Sequence, residues 1–201
     1  HVLKAMHYCS RNPSFRDLVA SKRVQIICFG KMDISVRSLS LPVMDLGFID
    51  DDGAIANIYN ASDMFILPSL EDNLPNTLLE SMACGTPVIA FNIGGIPDVI
   101  IDEFNGRLVE SQNDDQLGSA ILDLIMNTAK RRLFGERAGK LIHEKFKLED
   151  QASSYVALYD ALLFGNKKPY RNEQRARPSR HTNAIYQGLL RYSFQSVLSM
   201  R

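Results

Sequence analysis

Acidic residues and glycines gather in one stretch near the middle of this sequence. Two carboxylates, Asp72 and Glu80, have seven residues between them, and Glu71 lies directly before the first. Carboxylates accept hydrogen bonds from hydroxyl groups, and they stabilise positive charge that develops in a transition state. Two adjacent glycines, Gly94 and Gly95, let a backbone approach a ligand closely. A simple structural role stays open for each: helix capping for Asp72, a solvated helix position for Glu80 and a plain turn for the glycines.

A strand, a loop, a helix and a second strand are expected to position these residues. The apolar run Met64–Leu67 predicts a buried strand, and Val88–Phe91 predicts another. Between them, Pro75 suits the first turn of a helix that begins near Leu74 and stops at Gly85. The acidic loop then lies at the carboxyl end of a strand, which is where open α/β sheets bind ligands.

The start of this helix is itself a candidate site for an anionic group. Its first amides, those of Leu74, Asn76 and Thr77, surround the positive end of the helix dipole. Ser69 and Asn73 lie in the preceding loop and are further candidates for contacts to the same ligand. An ordinary helix capped by Asn73 would explain the same pattern.

Strands alternate with helices along most of the remaining chain. Val24 to Gly30, Val43 to Phe48 and Gly106 to Val109 are three more strand candidates, separated by segments with helical spacing. This alternation predicts an α/β domain over residues 1–165, with a parallel sheet covered by helices on both faces. Lys130 to Phe146 is expected to form a helix. The helix that follows it is expected to close the core with an apolar stripe, formed by Tyr155, Leu158, Tyr159 and Leu162. A helix before it is expected to be capped by Asp114 or Asp115.

Residues 166–201 differ from the rest in charge. They hold eight basic residues against Glu173 alone, so this tail carries +7 while the whole chain is formally neutral. We interpret the first part as a basic linker, and the spacing of Tyr186, Leu190, Phe194 and Val197 predicts a short amphipathic helix after it. Such a helix beside a basic arm favours docking on an anionic membrane surface, with intramolecular docking or the absence of stable structure as alternatives.

Composition excludes several classes of protein. No apolar run approaches the roughly 20 residues of a membrane span, and no signal-peptide pattern opens the chain. The three cysteines are scattered without metal-ligand spacing, which predicts free thiols in a reducing compartment. The acidic run Asp50 to Asp52 precedes a helix, so we interpret it as a solvated cap and expect no metal site. No nucleic-acid partner is indicated.

The stretch SLEDNLPNTLLESMACGTPVIAFNIGGIPDVI resembles the donor-sugar site of retaining, nucleotide-sugar-dependent glycosyltransferases with the GT-B fold, the group 1 family. The resemblance runs from about Val2 to Leu163 and is densest between Ala61 and Val109. Proteins of this family have two Rossmann-like halves, and this sequence is similar to the C-terminal, nucleotide-sugar-binding half. The resemblance implies that the first strand of this half, its two leaving-group cations and the acceptor half precede His1, so the chain alone is expected to be inactive.

Roles for the acidic residues follow from the resemblance. The family motif has two carboxylates separated by seven residues, which Asp72 and Glu80 match. Glu80 is thereby expected to bind the ribose, and Asp72 to face the transferred sugar as the catalytic carboxylate. The family usually has glutamate at the first position, so Glu71, reaching the site through a shifted loop, is the alternative. Gly94 and Gly95 are expected beside the sugar.

The resemblance implies a transferase that moves a hexose-type sugar from a nucleotide diphosphate to a glycan or lipid-linked acceptor, as in polysaccharide biosynthesis. The reaction is expected to need no metal and no cofactor, with retention at the sugar. Partners implied are the donor, the acceptor, the missing N-terminal half and a membrane surface contacted through residues 166–201. The expected location is cytoplasmic, with peripheral attachment at the inner face of the membrane. A GT-B-type sugar-nucleotide epimerase and a non-catalytic Rossmann-like binding module are the alternatives.

Overall fold

A computed structural model describes residues 1–30, 38–39, 41–164 and 195–200, the last of these as backbone. The helices in these ranges are α1 (Val2–Cys9), α2 (Pro13–Ala20), α3 (Asp52–Asn60), α4 (Asn76–Ala83), α5 (Asp114–Met126), α6 (Thr128–Lys145) and α7 (Leu148–Phe164). The strands are β1 (Val24–Phe29), β2 (Val43–Asp45), β3 (Met64–Leu67), β4 (Val88–Phe91), β5 (Gly106–Val109) and β6 (Gln195–Met200). A short 3₁₀ helix covers Ile96–Asp98.

The six strands form one sheet in the order β2-β1-β6-β3-β4-β5. The pairs β1–β2, β3–β4 and β4–β5 are parallel, as the sequence predicts. Strand β6 is antiparallel to both of its neighbours and lies between β1 and β3. Its backbone at Val197 pairs with Ile27 on one side and with Phe65 on the other. The last described strand of the chain therefore occupies the centre of the sheet.

Two apolar cores cover the two faces of the sheet, because alternate residues of a strand point to opposite sides. Ile66 of β3 belongs to the core formed with α1 and α5, whereas Phe65 belongs to the core formed with α3 and α4. Helix α6 contributes Ala138 and Ile142 to the second core. The prediction of a parallel sheet with helices on both faces is confirmed for β1 to β5.

The predicted amphipathic helix at the end of the chain is wrong where it can be checked. Val197 lies in β6, an extended strand. Strands β1 and β3 each offer an unpaired edge, and a strand between them forms main-chain hydrogen bonds on both sides. These hydrogen bonds outweigh the weak helical preference of the sequence. The other positions of that stripe and the predicted basic linker lie outside the described residues.

Helix α7 is formed as predicted, but its stripe does not close the core. None of its residues is buried, and Tyr155, Leu158, Tyr159 and Leu162 are all exposed. Helical spacing predicts that a helix has an apolar face, but it does not predict which surface covers that face. The described residues fall into two compact units, one comprising His1–His143 together with β6 and the other containing α7. The predicted domain boundary at residue 165 stays a prediction.

The start of α5 shows which polar residue caps that helix. The cap of α5 is Asn113, whose side chain accepts a hydrogen bond from the Gln116 amide, so the predicted capping by Asp114 or Asp115 is wrong. Asp114 instead forms ion pairs with neighbouring groups of α1, including Lys4 at 3.3 Å. Asn113, one position earlier, already satisfies the orphan amide of Gln116.

A close backbone contact joins α6 to the turn after α4. A methyl group on Gly135 would overlap the carbonyl oxygen of Gly85 and lie 3.2 Å from its carbonyl carbon. One turn later, a methyl group on Gly139 would meet its nearest neighbour, the Met82 carbonyl oxygen, at an ordinary 3.5 Å. The contact fixes the carboxyl end of α4, and so the direction of that helix.

All three cysteines are free thiols, as expected: Cys9 and Cys28 are buried and Cys84 is half-buried. Burial raises the pKa of the Cys9 thiol to about 12. Over the described part of the chain, no helix has both the length and the apolar character needed to cross a bilayer.

Candidate functional site

Two loops meet at the carboxyl edge of the sheet. The loop after β3 carries Glu71, Asp72 and Asn73, and the loop after β4 carries Gly94 and Gly95. The Gly95 amide donates a 2.5 Å hydrogen bond to the Asn73 carbonyl oxygen. A methyl group on Gly94 would overlap the Asp72 carbonyl oxygen and lie 2.8 Å from that of Asn73. The glycine pair thus holds the acidic loop by direct backbone contact, in addition to any approach to a ligand.

Asp72 lies half-buried in this junction. Burial raises the pKa of its carboxyl group above the usual value, and a hydrogen bond from the Asn73 backbone opposes that rise. A carboxylate that is partly removed from water, yet still open to the edge of the sheet, acts more strongly on a nearby charge than a solvated one. Glu71, in contrast, is exposed.

The beginning of α4 is not capped by a side chain. Its cap residue is Pro75, with extended backbone and no side-chain hydrogen bond, so capping by Asn73 or Asp72 is wrong. The helix begins at Asn76, two residues later than predicted. Within the described part of the chain, the buried hydroxyl of Thr77 has no hydrogen-bond partner. The first turn therefore presents uncapped amides and a buried hydroxyl, an arrangement suited to an anion.

Pro75 explains why α4 needs no side-chain cap from Asp72. Leu78 donates its amide to the Pro75 carbonyl oxygen, which closes the first turn through the backbone. Proline has no amide of its own and fixes its φ angle, so the chain enters the helix without help from Asp72. The structural alternative for Asp72 is thereby removed.

Glu80 is exposed on α4, one turn after the helix start. Beneath this part of the helix lies Tyr59, which is fully buried and packs edge-on against Phe29 and Phe65. Burial, and then the charge of Glu80, raise the pKa of the Tyr59 hydroxyl. Burial and Glu80 act in the same way on the pKa of Cys84. The Glu80 carboxylate thus sits above an apolar, weakly screening part of the core.

The remaining predicted residues fall in the same region of the fold. Ser69 is half-buried in the loop after β3, Asn73 is exposed, and Leu74 packs against the core that contains Tyr59. Asn76 is exposed at the first turn of α4. The structure therefore brings all the predicted site residues to one edge, although their roles stay predictions.

Sequence reasoning passed over one residue at this edge. Phe48 follows β2, and 72% of it is exposed. The neighbouring Gly47 carbonyl accepts a 2.7 Å hydrogen bond from Gly30, which ties the loops after β1 and β2 together. An exposed aromatic ring offers a flat surface for stacking. The sequence analysis placed Phe48 at the end of a strand, which is wrong because β2 ends at Asp45.

The acidic run before α3 serves the helix. Asp51 is the cap residue, and its carboxylate accepts a 2.6 Å hydrogen bond from the Ala54 amide. This agrees with the predicted cap. Across the described ranges, no cluster of three or more histidine, cysteine or acidic residues is arranged to hold a metal ion. The expectation of a metal-independent reaction stays a prediction.

A separate cavity in the described part of the chain lies away from this edge. It measures about 750 Å³ and runs between α1 and the loop after β5, where Lys4, His7 and Arg11 face Glu110 and Asp115. None of the predicted site residues lines it. It is a broad surface groove of mixed charge, whereas the carboxyl edge of the sheet combines an uncapped helix start with a half-buried carboxylate. We therefore take the carboxyl edge as the candidate site.

Comparisons with known proteins identify the family of this part of the chain. The profile of the family described as "Glycosyl transferases group 1" matches residues 37–141, which include every predicted site residue. Among curated proteins, N-acetyl-alpha-D-glucosaminyl L-malate synthase of Bacillus anthracis is 32% identical over 120 residues, 60% of this chain and 32% of that protein.

Two solved structures show the same fold. Sucrose-phosphate synthase from Thermosynechococcus elongatus superposes with a TM-score of 0.58 at 32% identity, covering 61% of this chain and 31% of that one. A mutant of TarM from S. aureus, in complex with Fondaparinux, alpha-GlcNAc-glycerol and UDP, gives 0.53 at 25% identity, with 59% and 24% covered. The chain spans about a third or less of the length of these proteins.

Proposed function

This chain belongs to the glycosyl transferases group 1 family, and from that premise we propose that it binds the nucleotide-sugar donor of a retaining glycosyl transfer. The observation that carries the proposal is the junction at the carboxyl edge, where the Gly94–Gly95 turn holds Asp72 beside the uncapped start of α4. The UDP bound to TarM, a relative by fold and sequence, supports a nucleotide diphosphate as the ligand.

Each part of the junction has a task in this reaction. The amides of Asn76 and Thr77 donate hydrogen bonds to the diphosphate, whose negative charge grows when the bond to the sugar breaks. The Glu80 carboxylate accepts hydrogen bonds from the hydroxyl groups of the ribose. Asp72 stabilises the positive charge that develops on the sugar while the acceptor hydroxyl bonds to its anomeric carbon and gives its proton to the departing diphosphate. We keep Glu71 as the alternative for this last role.

The acceptor side belongs to the proposal as well. We propose that a glycan or lipid-linked acceptor binds to a second half, in a longer form of this protein or in another chain, since this chain spans only part of its relatives. Free thiols support a cytoplasmic location. Contact of this basic tail with a membrane surface stays a prediction only for the residues before β6, because β6 lies inside the sheet; the charge of residues 166–201, eight basic residues against one acidic residue, supports it.

Replacing Glu80 by glutamine is expected to weaken nucleotide binding by about 1–3 kcal/mol, the usual cost of losing a charged hydrogen-bond acceptor. Isothermal titration calorimetry of this chain with UDP, GDP and ADP measures the change. Glu136→Gln is the matched control, since Glu136 is exposed on α6 and outside the junction. Equal affinities for wild type and Glu80→Gln would contradict the ribose role. Failure of wild type to bind any of the three nucleotides would contradict the donor-binding proposal itself.

Asp72→Asn is expected to stabilise the fold at neutral pH, although it removes the proposed catalytic charge. The folded-state pKa of Asp72 is raised by burial, so the wild type is penalised when the carboxyl is charged and gains stability as the pH falls through that pKa. The asparagine variant should therefore exceed wild type at pH 7 and match it in acid. The gain should stay below about 1 kcal/mol, since water reaches the half-buried group.

Urea unfolding at several pH values tests this, with Glu71→Gln as the control. Glu71 is exposed, so we expect its replacement to change stability by no more than about 0.5 kcal/mol at neutral pH. In an intact transferase, Asp72→Asn should lower turnover at least about tenfold, and more than it lowers nucleotide affinity. A larger turnover loss at Glu71 would assign the catalytic role to that residue instead.

A further inference from the structure

The hydroxyl group of Tyr59 lies in the core beneath α4. Tyr59 is fully buried, and its hydroxyl oxygen has no hydrogen-bond partner in the described part of the chain. A buried hydroxyl group without a partner costs free energy, because in the unfolded chain it bonds to water. Phenylalanine would fill the same space without that cost. The tyrosine therefore indicates that its hydroxyl group finds a partner in another state of the protein.

The side chain of Tyr59 is held in one position. Its ring packs edge-on against Phe29 and Phe65, with centroids 5.7 and 5.5 Å away. Its carbonyl oxygen accepts a 2.7 Å hydrogen bond from the hydroxyl group of Thr86, in the turn after α4. These contacts tie the end of α3 to that turn and leave the ring little room to move. The hydroxyl group of Tyr59 is thus a preorganised donor.

A carboxylate lies within electrostatic reach of this donor. Thr77, Glu80 and Cys84 project from one side of α4, within about 60° of one another on a helix that turns about 100° per residue. Thr77 and Cys84 are half-buried on that side, and Glu80 is exposed at its rim. Burial, and then the charge of Glu80, raise the pKa of the Tyr59 hydroxyl. Tyr59 therefore keeps its proton and can only donate it in a hydrogen bond to the carboxylate.

We propose that the Tyr59 hydroxyl donates a hydrogen bond to the Glu80 carboxylate when the donor nucleotide is bound, which makes Tyr59 a positioning residue for the ribose. This inference rests on the proposed function. A carboxylate has about four lone-pair positions, so one bond from the core side leaves the others for the ribose hydroxyls. An exposed glutamate loses rotamer freedom when it binds a ligand, which opposes binding. A fixed donor beneath Glu80 holds the carboxylate and offsets part of that loss.

Two other groups on the same side of α4 are acceptors for Tyr59 by position, the thiol of Cys84 and the hydroxyl of Thr77. Burial, and then the charge of Glu80, raise the pKa of the Cys84 thiol, so it stays protonated, and a neutral sulfur is a weak acceptor. A bond to Thr77 would join two neutral groups, and such bonds are weaker than a bond to a carboxylate. Charge therefore favours Glu80 over both.

A double-mutant cycle measured by calorimetry tests the contact, with whichever of UDP, GDP and ADP wild type binds most tightly. Tyr59→Phe should raise the dissociation constant about three- to tenfold, as is typical of losing one hydrogen bond. In a Glu80→Ala background, the same change should raise it by less than about twofold. Tyr8→Phe is the matched control, because it removes the same group from α1, on the opposite face of the sheet. It should leave the dissociation constant unchanged.

A modified nucleotide separates positioning from damage to the fold. The 2′,3′-dideoxy form of the same nucleotide lacks the hydroxyl groups that Glu80 is proposed to bind. Wild type and Tyr59→Phe should therefore bind it with equal affinity. Urea unfolding without nucleotide should show no loss of stability in Tyr59→Phe, because no described residue bonds to the hydroxyl group in that state.

Equal affinities of wild type and Tyr59→Phe for the unmodified nucleotide would overturn the Tyr59 contact and leave the donor-binding proposal intact. So would an undiminished effect of Tyr59→Phe in the Glu80→Ala background, which would assign the hydroxyl group to another partner. A similar loss of affinity for the dideoxy nucleotide would show damage to the site instead of positioning. A wild type that binds none of the three nucleotides would overturn the donor-binding proposal, and the Tyr59 contact with it.

Discussion

Alanine at position 94 is expected to lower the free energy of unfolding by about 3 kcal/mol or more, since overpacking and backbone strain act together there. The added methyl group would overlap the Asp72 carbonyl oxygen, and neither partner is a flexible side chain. The backbone of Gly94 also has a φ angle of +52°, which L residues rarely adopt. Relief requires the two loops at the carboxyl edge to separate. Nucleotide binding should therefore weaken in the same variant.

Gly47→Ala separates the two causes. Gly47 also has a positive φ angle, +63°, but a methyl group there would meet no atom within 4 Å. We expect it to cost only the conformational strain, about 1–2 kcal/mol. Urea unfolding of wild type and both variants provides the measurement. Equal losses at the two positions would show that the backbone contact with Asp72 contributes nothing beyond the φ angle.

Gly135→Ala is expected to destabilise the protein by about 2–4 kcal/mol, the upper range for overpacking in a core. Helix α6 crosses the turn after α4 at this residue, and the methyl group would overlap the Gly85 carbonyl oxygen. The helix must move away from the turn to make room, which opens the packing of Ala138 and Ile142 behind it. The melting temperature and urea midpoint both report this loss.

The same helix supplies the control. Gly139 is also buried, but a methyl group there meets its nearest atoms at 3.5 to 3.8 Å. Alanine is favoured over glycine in a helix interior by about 1 kcal/mol, so Gly139→Ala should leave stability unchanged or raise it by up to that amount. Destabilisation of similar size at both positions would contradict the role assigned to the Gly85 contact.

Much of the fold could be predicted because it depends on local patterns. The runs Met64–Leu67 and Val88–Phe91 are short, apolar and each bounded on one side by proline, so their strands were identified with their bounds. The acidic loop after the first of these strands was likewise expected at the carboxyl edge of the sheet, and it lies there. The contact between Asp72 and Gly94 could not be predicted, since it joins two loops through their backbones. In a backbone contact of this kind, the glycine is the only residue type in the sequence that indicates the contact.

The errors concern segments whose environment decides their structure. Val197 fits a helical stripe in the sequence, yet hydrogen bonds from β1 and β3 hold it in a strand. In α7, the apolar spacing gave the helix correctly but not what lies against it. The predicted side-chain cap of α4 was wrong for a third reason. The Pro75 carbonyl group closes the first turn and makes a side-chain cap unnecessary. In each case a tertiary or backbone interaction outweighed the local preference.

The position of β6 has a consequence for the order of folding. Val24 of β1 pairs with Met200, so these partners are 176 residues apart in a chain of 201. At a synthesis rate of about 5–20 residues per second, β1 waits roughly 9–35 s for its central neighbour. During that time β1 and β3 each present an unpaired edge, the kind that recruits other chains. Contacts of such long range also slow folding once synthesis is over. We therefore expect refolding yield to fall with protein concentration, and chaperones that cover strand edges to restore it.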